Sequence, residues 1–311
     1  MSKNLNLDEN KVIGIEHWTY KENIRLFLWE KFISSPLNKK HTLLFIHGSS
    51  MASQPTFDLH VEDRPYSSAM NWFALQGFDV WCLDMEGYGH SDKDRDSNFD
   101  ISNGANDIAA ACDYIFELRC IDNLYMYGIS SGALRASLFA QNNPSKVSRL
   151  ALDAMVWTGK DSPTLENRRK KLPEFIRSNR RKIDYDFVRS IFLRDHEGSA
   201  ENSVIDSFAR AICALDDSIP NGTYVDMCKN LPIVNPENIT MPTLIMRGQW
   251  DGIASMDDLL DFFRLLPNPD KQFKVMPGIS HASFQQKNYL LAYQILYHFL
   301  TQPEPVFTGK L

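Results

Sequence analysis

A serine lies between two glycines in the sequence GISSG at residues 128–132. The apolar residues before it are typical of a buried strand, and the residues after it are typical of a helix. A tight turn from strand to helix holds a serine hydroxyl out at the end of a sheet, and it needs small flanking residues because side chains there would clash. The alternative is a glycine-rich loop whose serine has no catalytic role, but such a serine would not need to lie between a strand and a helix. The pattern therefore predicts that Ser130 is a nucleophile.

A serine hydroxyl becomes nucleophilic when a base takes its proton and a carboxylate orients that base. Asp251 follows one apolar, strand-like segment, and His281 follows the next, 30 residues later. Neighbouring parallel strands would bring both residues to the edge of the sheet that carries Ser130. We expect His281 to be the base and Asp251 the acid that orients it. Asp153, which follows the strand next to that of Ser130, is the alternative acid.

Cleavage of an acyl bond also requires N–H donors directed at the oxyanion. The backbone N–H of Ser131 lies at the predicted start of the helix and is one candidate. The backbone N–H of Ser49 is the other, because it follows a strand-like segment that would end at the same edge. His47, in the same loop, is expected to have a structural role.

The elements that must position these residues alternate between strands and helices. Residues 11–33 predict a hairpin, and six further apolar segments predict buried strands at residues 41–48, 78–84, 123–129, 147–157, 242–248 and 272–278. Helix-like segments separate these strands, which predicts a doubly wound α/β fold with a mostly parallel sheet. We therefore expect a core of residues 1–157 and 237–311, interrupted by a helical cap at residues 158–236.

Two helices carry clear local signals. Apolar residues between Ile108 and Leu118 recur at the spacing of one buried helical stripe. Ser255 and Asp258 form the pattern of a capping box, which predicts that a helix begins there.

The composition limits the class of protein. The 311 residues have a net charge of -6, which disfavours nucleic acid as a partner. The five cysteines contain no closely spaced pair, so we expect reduced thiols and no metal site. The opening residues 1–10 are polar and no apolar segment is long enough to cross a membrane, which favours a cytoplasmic protein.

Five motifs occur in the order found in the α/β-hydrolase superfamily, which this chain resembles over nearly its whole length. They lie at residues 47–48, 84–91, 128–132, 248–251 and 278–281. The resemblance implies an eight-stranded sheet, a triad of Ser130, Asp251 and His281, oxyanion donors at Ser49 and Ser131, a helical cap after strand six and no cofactor. Glu86 is a departure, because the family commonly has arginine there.

These residues lead us to expect a serine hydrolase that acts on a small or medium carboxylic ester, thioester or lactone. Two alternatives remain open. Relatives with the same triad hydrolyse carbon–carbon bonds of diketones and ring-cleavage products, and some members of the superfamily bind ligands without turnover. Aspartate replaces the serine in haloalkane dehalogenases and epoxide hydrolases, so Ser130 disfavours those reactions.

The predicted cap is unusually basic at its start. Residues 160–194 contain 11 basic and 5 acidic residues. These charges could attract an anionic substrate such as a carboxylate or a coenzyme A thioester. Runs of like charge are usually solvated, so the sequence favours an exposed helix face over a binding site.

Overall fold

The computed structural model describes residues 11–34 and 41–307. The strands in this part of the chain are β1 (Val12–Lys21), β2 (Ile24–Ile33), β3 (Thr42–Ile46), β4 (Asp79–Leu83), β5 (Leu124–Ile129), β6 (Val147–Asp153), β7 (Arg180–Lys182), β8 (Ser218–Pro220), β9 (Thr243–Gly248) and β10 (Lys271–Met276). Eight of these described strands form one sheet, in the order β1-β2-β4-β3-β5-β6-β9-β10. β7 and β8 pair with each other in a separate antiparallel ribbon.

The sheet is parallel from β4 to β10 and antiparallel only at the edge formed by β1 and β2. Every residue of β3 and β5 is buried, as expected for parallel strands covered on both faces. The predicted fold class and its eight strands are therefore confirmed. The predicted hairpin at residues 11–33 corresponds to β1 and β2.

The described helices are α1 (Ser53–Phe57), α2 (Ala69–Leu75), α3 (Ile101–Arg119), α4 (Ser131–Asn142), α5 (Pro163–Arg169), α6 (Leu172–Arg177), α7 (Tyr185–Leu193), α8 (Asn202–Leu215), α9 (Gly222–Lys229), α10 (Met256–Leu265) and α11 (Tyr289–Thr301). α3, α4 and α10 pack on the face of the sheet that includes Leu44 and Ile46. α1, α2 and α11 pack on the opposite face with Leu43 and Phe45. Successive residues of β3 thus supply both cores, because side chains alternate along a strand.

The local predictions were wrong in two details. Leu118 was assigned to the buried stripe of α3, but it is 43% exposed, because in this last turn it is Arg119 that faces the sheet, with hydrogen bonds to Asp79 and Glu30. The strand predicted to reach residue 157 ends at Asp153, and the next residue, Ala154, has a positive φ of 51° that breaks the extended conformation.

The capping box at the start of α10 forms only in part. The Ser255 hydroxyl accepts a hydrogen bond from the Asp258 N–H, as predicted. The Asp258 carboxylate, however, accepts hydrogen bonds from the backbone N–H groups of Trp157, Thr158 and Gly159 instead of closing the box. The local sequence pattern predicted that this carboxylate would cap its own helix, but it accepts hydrogen bonds from the backbone of residues 157–159 instead. This carboxylate fixes the point where the chain leaves the sheet after β6.

The chain between β6 and β9, all of which the structure describes, contains α5 to α9 and the ribbon of β7 and β8. It contacts the core through Asp216, whose carboxylate accepts a hydrogen bond from the Gly89 N–H at 3.0 Å and pairs with Lys93. We refer to residues 158–236 as the inserted segment. Its definition as a separate cap domain stays a prediction.

The cysteines Cys82, Cys112, Cys120, Cys213 and Cys228 are free thiols. No helix among the described residues combines the length and apolar character needed to cross a bilayer. The polar opening at residues 1–10 lies outside the described residues.

Candidate active site

Ser130 occupies the turn between β5 and α4 in a strained conformation. Its φ is 58° and its ψ is -127°, which costs about 1–3 kcal/mol for a residue with a side chain. A Cβ on Gly128 would lie 2.5 Å from the carbonyl oxygen of Gly132, and one on Gly132 would collide with the carbonyl oxygens of the strand end at residues 46–47. The two glycines are therefore required by backbone packing, as the sequence predicted.

The structure brings Ser130, His281 and Asp251 together in a buried chain of hydrogen bonds. The Ser130 Oγ lies 3.0 Å from His281 Nε2, and His281 Nδ1 lies 3.0 Å from the Asp251 Oδ2. The other Asp251 oxygen accepts hydrogen bonds from the backbone N–H groups of Ile253 at 2.8 Å and Ala254 at 3.0 Å. Both carboxylate oxygens thus have partners, which fixes the carboxylate against the imidazole.

Electrostatics favour an ionised Asp251. Burial alone would raise the pKa of this carboxyl, but the His281 imidazole and the two backbone donors outweigh it and lower the pKa below its ordinary value. An ionised carboxylate stabilises the positive charge that His281 acquires when it accepts a proton.

The alternative acid, Asp153, makes different contacts. Its Oδ2 accepts a hydrogen bond from the Tyr127 hydroxyl at 2.7 Å, and its Oδ1 has no hydrogen-bond partner among the described residues. Burial raises the pKa of Asp153 to about 7. The contact with His281 is therefore made by Asp251, and Asp153 lies below the site.

The loop after β3 is held by His47. The Nε2 atom of His47 accepts a hydrogen bond from the Met85 N–H, so the Nδ1 atom carries the proton and donates to the Gly48 carbonyl at 2.7 Å. Burial, together with Arg135, lowers the pKa of His47 to about 3, which keeps the ring neutral. Because C=O and N–H point in opposite directions across a trans peptide, this bond also sets the direction of the Ser49 N–H.

Of the two predicted oxyanion donors, Ser131 follows Ser130 directly, and Ser49 follows Gly48, which lies against Ser130. Ser131 is the first residue of α4, where a backbone N–H has no acceptor within its own helix. Gly48 lies against Ser130, since a Cβ on Gly48 would be 3.3 Å from the Ser130 Cβ, and Ser49 follows directly. β3 and β5 are adjacent in the sheet although β4 lies between them in the chain. The site thus lies where the strand order reverses, at the carboxyl ends of the strands.

Arg64 supports the loop that follows His281, and sequence analysis missed it. Its guanidinium donates hydrogen bonds to the backbone carbonyls of Phe284, Gln285 and Gln286, at 2.8 to 3.2 Å. It also stacks 3.9 Å from the ring centre of Tyr289. A lone arginine in a loop carries no local signal of such a role, because the three carbonyls lie about 220 residues away in the chain.

Glu86, at the position where the family commonly has arginine, forms two ion pairs. It is buried and pairs with Lys21 at 2.8 Å and with both sides of the Arg95 guanidinium at 2.7 Å. These two cations outweigh the effect of burial and lower the pKa of Glu86. The ion pairs of Glu86 do not involve Ser130, Asp251 or His281.

Asp195, from the inserted segment, approaches the site from outside the sheet and was also missed. Ligating atoms of Asp195, Asp251 and His281 all lie within 4.8 Å of one another. A metal ion there would need a free nitrogen of His281, but Ser130 and Asp251 already occupy both. The geometry fits proton transfer better than metal binding.

A family model described as serine aminopeptidase, S33, matches residues 59–288. The chain belongs to this family. It is therefore a hydrolase of the α/β-hydrolase superfamily, and the predicted resemblance is confirmed. The matched residues include Ser130, Asp251 and His281 and begin after Ser49. No curated protein sequence matches the chain.

Solved structures of several hydrolases share the fold. A thermophilic esterase from Thermogutta terrifontis is 18% identical and has a TM-score of 0.68, covering 93% of this chain and 98% of its own. An esterase from Exiguobacterium antarcticum is 14% identical with a TM-score of 0.68, and covers 93% and 100%. A 2-hydroxy-6-oxo-6-phenylhexa-2,4-dienoate hydrolase from Rhodococcus sp. strain RHA1 is 15% identical with a TM-score of 0.65, and covers 93% and 99%.

Proposed function

We propose that this hydrolase cleaves a carboxylic ester, thioester or lactone through an acyl-enzyme on Ser130. The observation that carries the proposal is the continuous chain of contacts from the Ser130 hydroxyl through His281 to Asp251, with 3.0 Å at each step. The strained turn at Ser130 and the two N–H groups beside it supply the other parts that this chemistry needs.

In the first half-reaction the Ser130 Oγ attacks the substrate carbonyl carbon while its proton moves to His281 Nε2. The carbonyl oxygen becomes an oxyanion, which the backbone N–H groups of Ser49 and Ser131 stabilise. His281 then returns the proton to the departing oxygen or sulfur. The bond to the leaving group breaks, and the acyl group remains on Ser130.

In the second half-reaction water takes the place of the leaving group. His281 removes a proton from the water, whose oxygen attacks the acyl carbon and restores the oxyanion. The bond to Ser130 then breaks, and His281 protonates the serine oxygen. The acid product leaves and the enzyme returns to its starting state. Asp251 stays ionised throughout.

Hydrolysis of a carbon–carbon bond is the second candidate, and the fold similarity to the Rhodococcus hydrolase favours it. This reaction could use the same residues, so the two candidates differ in substrate. A third possibility is a ligand-binding protein without turnover. The hydrogen bond between His281 and Ser130 supports catalysis, because binding alone would not require it.

The test combines covalent trapping with substrate turnover. A fluorophosphonate probe should label Ser130, and 4-nitrophenyl esters should be cleaved far faster than vinylogous diketones. Ser130→Ala should abolish both labelling and turnover, with a loss of at least about 10³-fold. Ser137→Ala is the matched control, because Ser137 is a buried serine of α4 that binds a carbonyl of its own helix.

Three results would contradict the proposal in different ways. Turnover that persists in Ser130→Ala would exclude this serine as the nucleophile. Rapid diketone cleavage with slow ester cleavage would favour carbon–carbon bond hydrolysis. Ligand binding without labelling or turnover would favour the binding protein.

A further inference from the structure

The inserted segment lines an open cavity of about 660 Å³ that reaches the candidate site at Asp195 and Gly252. Several segments of the chain line it, and the lining includes Arg168 of α5, Arg181 of β7, Tyr224 of α9 and Gly252. Gly252 directly follows Asp251. The cavity therefore lies between the inserted segment and the loop that carries the acid of the triad.

Positive charge dominates the cavity lining. The cations are Arg168, Lys171, Arg181 and Arg194, and the carboxylates are Glu174 and Asp195. Among the described arginines of the inserted segment, those that form ion pairs are Arg189 and Arg194, with Asp206 and Asp195. Arg168 and Arg181 thus lack a carboxylate partner in the part of the chain that the structure describes.

Polar atoms of these arginines are buried without partners. Arg168 Nη1 and Arg181 Nε are inaccessible to solvent and have no hydrogen-bond acceptor among the described residues. A buried guanidinium N–H without an acceptor is destabilising, because it has lost its hydrogen bonds to water. Burial, reinforced by neighbouring cations, lowers the pKa of Arg168 to about 10. Such a cost is reduced when an anion enters the cavity.

Tyr224 reports the same excess of positive charge. The Arg168 guanidinium lies 4.1 Å from its ring centre and that of Arg181 lies 3.6 Å away. Burial would raise the pKa of a tyrosine, but these two guanidinium groups and a hydrogen bond with Ser50 lower the pKa of Tyr224 to about 7. The positive charge around the cavity therefore favours the anionic form of Tyr224.

The arginines also connect the cavity to the oxyanion loop. Arg181 Nη2 donates hydrogen bonds to the Ser49 carbonyl at 2.9 Å and to the Ser50 hydroxyl at 3.3 Å. The Tyr224 hydroxyl lies 3.2 Å from the same Ser50 hydroxyl. Arg181 is thus held by the loop, whereas Arg168 lines the cavity and its Nη1 has no acceptor among the described residues. An anion bound by Arg168 would lie near Tyr224, whose hydroxyl contacts Ser50 in the loop that carries the proposed oxyanion donor Ser49.

We infer that the cavity is a subsite for a carboxylate of the substrate, held by Arg168 with Arg181 and Arg194 behind it, so that the enzyme cleaves anionic esters in preference to neutral ones. This inference rests on the proposed function and names its substrate class. A guanidinium offers paired N–H donors that match the two oxygens of a carboxylate. The same charges disfavour a substrate with a free ammonium group near the scissile bond. The sequence favoured a solvated face for this basic stretch, but its charges divide between solvent and the cavity.

The test compares two esters of equal acyl-chain length, 4-nitrophenyl hexanoate and the 4-nitrophenyl half-ester of adipic acid. The wild-type kcat/KM should be at least about 10-fold higher for the half-ester. Arg168→Gln should lower kcat/KM for the half-ester by about 10- to 100-fold, mainly through KM, because a charge-assisted hydrogen bond is lost. It should leave the neutral ester within about twofold, and Arg168→Lys should be intermediate.

Arg177→Gln removes the same charge from an exposed position on α6 that does not line the cavity, and it should change neither substrate. A wild-type preference for the neutral ester, or equal losses on both esters in Arg168→Gln, would overturn the inference. If neither ester is cleaved and Ser130 is not labelled, the proposed function fails on its own. Calorimetric titration with adipate then decides the subsite: saturable binding lost in Arg168→Gln upholds it, and binding that is absent or unchanged overturns it.

Discussion

The rim of the sheet, by which we mean Ser130, Asp251, His281 and the turns that carry them, differs from the cavity of the inserted segment. The difference lies in whether the polar groups have partners within the protein. At the rim, both nitrogens of His281 and both carboxylate oxygens of Asp251 have partners within the protein. In the cavity, Arg168 and Arg181 retain buried N–H groups without partners among the described residues. Groups that have partners within the protein keep their geometry whatever the substrate is. Charged groups without partners are stabilised most when a complementary ligand binds to them. Under our proposals, bond cleavage takes place at the rim and substrate selection in the cavity.

The largest effect should come from breaking the pairing at the rim. Asp251→Asn removes the charge that stabilises protonated His281 and favours the wrong tautomer of the ring. We expect kcat to fall by about 10³- to 10⁴-fold for neutral and anionic esters alike, measured in steady-state assays. Asp257→Asn, at an exposed position in the first turn of α10, is the control and should be neutral. A loss confined to the anionic ester would erase the distinction between rim and cavity.

A smaller but still large effect should follow from crowding the backbone at the rim. Alanine at Gly132 would gain about 1 kcal/mol of helix propensity, but its Cβ would collide with two carbonyl oxygens at the end of β3. We expect Gly132→Ala to lower the free energy of unfolding by about 3–5 kcal/mol in denaturant titrations.

Gly198 provides the comparison for this variant. It lies in the inserted segment with a φ of +82°, and no heavy atom of the described residues lies within 4 Å of the position that an alanine Cβ would take. Gly198→Ala should cost only about 1–2 kcal/mol, from backbone strain alone. Equal costs at the two positions would show that the rim tolerates movement, contrary to the view that it is rigid.

The last prediction concerns Asp153, whose Oδ1 has no hydrogen-bond partner among the described residues. Burial raises its pKa to about 7, against about 3.9 in an unfolded chain. Between these two values the folded protein keeps a proton that the unfolded chain releases, so stability falls as the pH rises and levels off above about 7. Relative to wild type, Asp153→Asn should gain about 4 kcal/mol in the free energy of unfolding between pH 4 and pH 8. A difference that stays constant with pH would show that Asp153 has an ordinary pKa when folded.

Much of the fold was predictable because its signals are local. An apolar run in β3 or β5 identifies a buried strand wherever it packs, and the glycines around Ser130 identify one particular turn. Local patterns predicted the wrong hydrogen-bond partner where a side chain can bond either within its own helix or to a distant segment. Asp258 caps the entrance of the inserted segment instead of its own helix, because three backbone donors at residues 157–159 compete for it.

The sequence by itself predicted the succession of strands along the chain and the strained turn at Ser130, and it favoured Asp251 over Asp153 as the partner of His281, because each depends on short patterns at the ends of successive parallel strands. The tertiary structure alone decided which basic residues face inward. Arg168, Arg181 and Tyr224 meet only because α5, β7 and α9 pack together, and the charge of residues 160–194 is the same whether its side chains point toward solvent or toward one cavity. Composition counts charges, but the packing of the inserted segment sets the distances between them.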